Sequence, residues 1–178
     1  MIKIFDKLVS QQNQLYFKNI ISSDEFPWYF PKGNDQILMH TLYSYPRGPQ
    51  SSYHKQFKAL FDALEEKANI KIVQLLKIRC RKVLNTEAQT LPEINEPDAQ
   101  NYKTFIYNVE DSDGDITLFK ENYDRESPFS WNLKNLTLRE KLSGTQGTGV
   151  YFNGDIYHTI NSKTTISFDF KIDDNYNN

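Results

Sequence analysis

The stretch from Gly147 to Ile172, GTGVYFNGDIYHTINSKTTISFDFKI, decides the fold. It contains three runs rich in Tyr, Phe, Ile, Val and Thr: Gly147 to Phe152, Ile156 to Ile160 and Thr164 to Ile172. Side chains of this kind suit a pleated surface, and the intervening Asn153-Gly154-Asp155 and Asn161-Ser162-Lys163 are turn formers. Three strands are therefore predicted to close the chain, with no helical pattern between them.

Moving toward the N-terminus, Tyr102 to Val109 reads as a further strong strand. Asp111-Ser112-Asp113-Gly114-Asp115 reads as the turn of a hairpin into Ile116 to Lys120. The Asp-x-Asp-Gly order is similar to a calcium loop, but strands flank it where an EF-hand needs helices and a bidentate Glu at its twelfth position. Residues 121–146 are polar and irregular and are predicted to form an insertion or flap, with a short helix near Leu136 to Leu142. In Ile70 to Leu84, the order Lys77-Ile78-Arg79-Cys80-Arg81 alternates charge with apolar residues, as in a strand with one solvated face.

The N-terminal third begins with a strand over Ile2 to Leu8 and a helix over Gln11 to Ser22. Pro27 and Pro31 prevent the cluster Phe26-Pro27-Trp28-Tyr29-Phe30-Pro31 from extending that helix, so it is read as an aromatic plug on the core. Ile37 to Tyr43 reads as a strand. Tyr53 to Lys67 reads as an amphipathic helix with Phe57, Leu60, Phe61 and Leu64 on its inner face. Two helices and about six antiparallel strands, without regular strand-helix alternation, argue for an α+β jelly-roll barrel.

With 178 residues, of which 38% are hydrophobic, the chain can fill one core, so a single domain over 1–178 is expected. The lone cysteine, Cys80, excludes an internal disulfide and a cysteine-based zinc site, and it reads as a small buried hydrophobe in a reducing compartment. Twenty-one basic against 23 acidic residues give a net charge of −2, which offers no electrostatic footprint for nucleic acid. No apolar run long enough to span a membrane and no signal-peptide pattern occur, so a cytoplasmic protein is expected. Frequent Asn, Lys and Ile suggest an A+T-rich genome such as that of a virus or a small-genome bacterium.

The order of segments resembles small 2-oxoglutarate/Fe(II) oxygenases found in bacteriophage genomes and related to prolyl 4-hydroxylases. The resemblance is carried by Phe26-Pro27-Trp28-Tyr29, Met39-His40-Thr41-Leu42-Tyr43, Lys77-Ile78-Arg79 leading to Asn85-Thr86-Glu87, Lys103 to Asn108 with its Asp-rich turn, and Val150 to Thr159. It implies a double-stranded β-helix. It also implies iron held by a His-x-Asp pair and a distal His, with open positions for 2-oxoglutarate and dioxygen. The distal ligand matches His158. The pair falls on Pro92-Glu93-Ile94-Asn95, so Glu93 stands at the His position and Asn95 at the Asp position. The other histidines, His40 and His54, begin no His-x-Asp sequence. The arginine that such enzymes use for the distal carboxylate of 2-oxoglutarate falls on Lys163 or Thr165, and Tyr107 resembles a second contact to that carboxylate.

Three functions follow from this resemblance. The first is a binding or structural protein on an oxygenase fold, such as a phage accessory or virion component in the host cytoplasm or the virion, engaging a protein partner through its pocket and the 121–146 segment. The second is an active dioxygenase that uses Fe(II) and 2-oxoglutarate to hydroxylate a peptidyl or nucleobase substrate. The third is a dicarboxylate-binding module anchored by Lys163 and Tyr107.

Overall fold

The computed structural model describes residues 1–86, 91–95, 99–124, 126 and 135–176. Ten strands are present among the described residues: β1 (Ile2–Phe5), β2 (Ile37–Ser44), β3 (Gly48–Pro49), β4 (Ile72–Val83), β5 (Lys103–Asn108), β6 (Ser112–Asn122), β7 (Leu138–Gly144), β8 (Gly149–Asn153), β9 (Ile156–Ile160) and β10 (Thr164–Ile172). Seven of them form one antiparallel sheet in the order β1-β8-β5-β10-β4-β2-β3, and three form a second in the order β7-β6-β9. From β5 onward the chain passes from the large sheet to the small one and back: β5 lies in the large, β6 and β7 in the small, β8 in the large, β9 in the small and β10 in the large. This alternation is what makes two facing sheets into a jelly-roll barrel.

Two helices, α1 (Gln11–Ile21) and α2 (Lys58–Ala68), cover the outer face of the large sheet. The Ser10 hydroxyl caps α1 by accepting from the Asn13 amide, and Phe17 and Ile21 fall four residues apart on its buried stripe. In α2, Leu60, Leu64 and Ala68 repeat the same spacing, and Asn69 ends the helix in the left-handed region at φ 53°. Both stripes meet Ile78, Cys80, Phe105, Tyr107, Ile166, Phe168 and Phe170 from the large sheet. A second cluster, Ile106, Ile116, Leu118, Leu142, Val150, Phe152, Ile156 and Ile160, lies between the sheets.

The three closing strands, both helices and the strand over Ile37 to Tyr43 occur where the sequence places them. The predicted helix over Tyr53 to Lys67 is a 3-10 segment (Ser52–Phe57) that runs into α2. Two expectations are corrected. β5 and β6 are not a hairpin, because β5 pairs with β10 and β8 whereas β6 pairs with β7 and β9. The chain crosses between the sheets at Val109 to Asp111, a corner after which most of the Asp-rich segment is already the start of β6. Leu136 to Leu142 contains no helix: β7 begins at Leu138, an edge strand exposed on both faces over most of its length, so no alternation marks it in the sequence. Of the predicted flap, 121–122 and 138–144 are strand, and 125, 127–134 lie outside the described residues.

Gly114 shows why the segment just after the corner needs its glycine. A Cβ there would fall 2.0 Å from the Asn161 carbonyl oxygen, while Asn161 and Ser162 both donate their amides to the Asp115 carbonyl. Backbone cannot yield as a side chain tip can. Gly114→Ala is therefore expected to lower unfolding free energy by about 1–3 kcal/mol in urea titration, while Asp113→Ala beside it, exposed, stays within about 0.5 kcal/mol.

Candidate functional site

Alternation along the large sheet sorts its residues by face. On β4, Ile78 and Cys80 point to the helices, which turns Arg79 and Arg81 into the barrel; on β10, Ile166, Phe168 and Phe170 point outward, which turns Thr165, Ser167 and Asp169 inward. The register then builds rows across the inner face. Met39, Arg81, Thr165 and Asn108 stand side by side, and Thr41, Arg79, Ser167 and Ile106 form the next row. Lys77, Asp169 and Thr104 form a third.

The opposite wall is supplied by the small sheet. Glu93 pairs with His158 of β9 as an antiparallel bridge, with its amide donating to the His158 carbonyl at 2.8 Å and the His158 amide returning a bond at 3.2 Å. Directly paired residues share a face, so the Glu93 and His158 side chains are neighbours. The expected juxtaposition of these two positions is present.

What the side chains do there is not what a metal centre requires. The Arg81 guanidinium reaches across the barrel to the Glu93 carboxylate at 2.5 Å. Asn95 donates its amide to the Asp169 carboxylate at 3.1 Å, Thr104 donates its hydroxyl to the same oxygen at 2.7 Å, and Arg79 stands 3.6 Å from the other. Two arginines and two carboxylates balance in a barrel wall where Arg81 is 9% and Arg79 13% exposed, so the solvated face expected for this strand is in fact an inner face. Burial disfavours the charge on Glu93, but Arg81, His158 and Arg79 outweigh it and hold the carboxyl below the usual range.

His158 is wholly buried. Its Nδ1 lies 3.1 Å from the Ile156 carbonyl, its ring packs edge-on against Phe152, and its Nε2 has no hydrogen-bond partner among the described residues. Burial lowers its pKa, against the pull of Glu93, and keeps the ring neutral. A neutral imidazole with a bare nitrogen is a competent ligand. The remaining donors are not, since the Glu93 carboxylate is neutralised by a guanidinium and the Asn95 amide nitrogen is committed to Asp169. No cluster of three His, Cys, Asp or Glu side chains suited to a metal occurs among the described residues. The set does not fit Fe(II).

The predicted carboxylate holders separate. Lys163 lies in the turn before β10, half exposed, with its ammonium 3.2 Å from Glu110. Tyr107 is buried on the helix side of β5, its ring edge-on to Phe17, and burial raises the pKa of its hydroxyl, which has no hydrogen-bond partner among the described residues. Neither contributes to the barrel interior, and for Tyr107 the sequence could not show this, because β5 is buried on both faces. The alternative, Thr165, does face inward, directly across from Arg81, and its hydroxyl has no hydrogen-bond partner among the described residues. The residues missed from the sequence are Arg79, Arg81 and Asp169.

No protein-family model and no curated protein matches the sequence. Solved structures do match the fold. The non-heme α-ketoglutarate-dependent carbocyclase SnoK from nogalamycin biosynthesis aligns over 97% of this chain and 79% of its own, at 10% identity and a TM-score of 0.63. A prolyl hydroxylase from Trichoplax adhaerens, solved with a hypoxia-inducible factor peptide, aligns over 97% and 83%, at 10% identity and a TM-score of 0.62. HygX from Streptomyces hygroscopicus, solved with nickel, 2-oxoglutarate and hygromycin B, aligns over 96% and 81%, at 12% identity and 0.59. The chain thus has the double-stranded β-helix fold of the 2-oxoglutarate- and iron-dependent oxygenases, carrying a charge network in which Glu93 meets Arg81 and Asn95 meets Asp169.

Proposed function

We propose that this protein is a non-catalytic binding protein on an oxygenase fold, in which ion pairs take the place of the iron centre. The observation that carries the reading is the Arg81–Glu93 pair: the residue at the family's first ligand position is already neutralised by a guanidinium from the facing sheet. A metal ion entering beside His158 would have to displace Arg81 and leave that buried charge without its carboxylate. The same chemistry disfavours an active dioxygenase. With Lys163 and Tyr107 outside the barrel, a dicarboxylate held by that pair loses its support as well. A protein partner, and a place in a phage particle or its host's cytoplasm, remain parts of this proposal.

One observation favours a second reading. The bare Nε2 of buried His158, in register with Glu93, is half of a two-ligand site for a divalent metal. The two readings separate under anaerobic Fe(II) and 2-oxoglutarate. The proposal expects no visible charge-transfer band and no succinate once air is admitted, and a band with turnover would overturn it. A band without succinate would support metal binding alone.

The network also sets the response to substitution. Asn95→Asp removes a donor and sets a second carboxylate against Asp169, so it should cost about 1–3 kcal/mol in urea titration. Combined with Glu93→His, it recreates the family's ligand pair. Nickel(II) is then expected to raise the thermal midpoint of the double variant and leave that of the parent protein unchanged.

Acid should act in two stages. The folded-state pKa values of His158 and His40 are depressed below 6.5 by burial, so the unfolded chain takes up those protons first and stability falls as pH drops below about 6.5. Glu93 is depressed below 4.5, and its contribution is present above that value and lost further down. Each buried neutral histidine contributes a slope approaching about 1.4 kcal/mol per pH unit. Urea midpoints at pH 7, 6 and 5.5 should therefore fall about half as steeply in His158→Gln as in the parent.

A further inference from the structure

A cavity of about 340 Å³ opens where β5 begins and β8 ends, lined among the described residues by Asn101, Tyr102, Lys103, Asn153, Asp155 and Asp174. Its volume falls at the small end of the roughly 300–1,000 Å³ of ligand sites. None of the six belongs to the charge network of the barrel wall. Lys103 is paired in register with Asn153 and stands two residues before Phe105, so both turn to the helix side of the large sheet. The turn between β8 and β9 fixes where the lining side chains stand. The Tyr102 carbonyl accepts the Gly154 amide at 2.9 Å, the Tyr102 hydroxyl donates to the Gly154 carbonyl at 2.6 Å, and the Tyr123 amide donates to the Asp155 carbonyl at 2.6 Å. A Cβ on Gly154 would fall 2.0 Å from the Tyr102 ring, so ring and turn are in direct contact. Asn153 and Asp155, on either side of this glycine, are thereby held at the cavity. A site mounted on such a braced turn needs little ordering to receive a ligand.

The charges in this cavity do not answer one another. Lys103, Asp155 and Asp174 all line it, yet the Lys103 ammonium forms an ion pair with neither carboxylate and donates at 2.7 Å to the neutral Asn153 side-chain oxygen. An ammonium has three donors, so two remain. Oδ1 of Asp155 is buried and accepts no hydrogen bond among the described residues. A buried carboxylate oxygen without a donor is costly, and a donor entering the cavity removes that cost. Asp174 comes from the segment after β10 and stands close enough to Tyr151 for its charge to add to the burial that raises the Tyr151 pKa. The cavity thus presents an ammonium and two carboxylates, held apart on one frame.

We propose that this cavity binds a small zwitterion of the free α-amino acid class. The ligand's ammonium is received by Asp155 and Asp174, and its carboxylate by the remaining donors of Lys103. A ligand of one sign satisfies one part of the lining and opposes the other. A metal ion would stand beside the Lys103 ammonium, and a simple anion beside two carboxylates. A molecule carrying both charges meets both, which is complementarity of the kind that sets specificity. The site shares no residue with the ion-paired centre, so its failure would leave the reading of that centre untouched.

Thermal-shift screening of the full chain against each common amino acid, followed by calorimetric titration of those that raise the midpoint, tests the proposal. The separate arms are the amide and the N-acetyl derivative of the same amino acid, acetate, methylamine, putrescine and calcium(II). An amino acid should bind at least tenfold more tightly than its amide, which lacks the carboxylate, and than its N-acetyl derivative, which lacks the ammonium. Asp155→Asn and Lys103→Met should each weaken it tenfold or more. Lys163→Ala, remote and paired with Glu110, should change nothing. Both site variants keep the length of the side chain, and thermal midpoints close to the parent's will show that they fold. The amide and acetyl arms use the parent protein and test each charge even where a variant does not fold. Equal binding of the amide or the acetyl derivative, preferential binding of putrescine or calcium(II), no dependence on Asp155 or Lys103, or no binding up to millimolar concentration would each overturn the proposal.

Discussion

The contact between Arg81 and Glu93 joins the two sheets of the barrel. Arg81 belongs to β4 of the large sheet, and Glu93 is held by backbone bonds to β9 of the small one, so a single ion pair at 2.5 Å spans the interior. Two residues on, Asn95 reaches back to Asp169 of β10 and repeats the cross-link. The segment from Glu93 to Asn95 is therefore bound by its main chain to one wall and by its side chains to the other. A metal ion with ligands on this segment and on β9 would join only elements of one wall, whereas these contacts cross to the other. Here a guanidinium and an amide do so without leaving a coordination position for a reactant.

Such a device has an energetic consequence that differs from that of a metal. An ion pair in a barrel wall recovers by mutual attraction roughly what its desolvation costs, so its net gain is small, whereas removing one partner leaves a buried charge that costs about 3–5 kcal/mol. The members are thus bound to one another more than to the fold. Arg81, Arg79, Glu93 and Asp169 form a balanced set in which no single charge can be changed alone without penalty. Replacing the four together by apolar residues of similar volume is the change the barrel would tolerate best. Burial is what keeps His158 neutral, and the two arginines add to it by opposing the carboxylate beside the ring.

Much of this was legible in the sequence where local pattern decides structure. The closing strands showed themselves because aromatic and β-branched runs alternate with Asn, Gly, Asp and Ser turns, whereas the significance of Glu93, Asn95 and His158 came only through the resemblance to the oxygenases. The hairpin expectation failed at Gly114 because a tight turn and a corner between sheets use the same residues. Only the distant Asn161 carbonyl distinguishes them. The face of Tyr107 could not be read, since both sides of β5 are buried. Arg79 and Arg81 were visible as the polar face of a strand, yet what that face meets is decided by Glu93 and Asp169, twelve and ninety residues away along the chain.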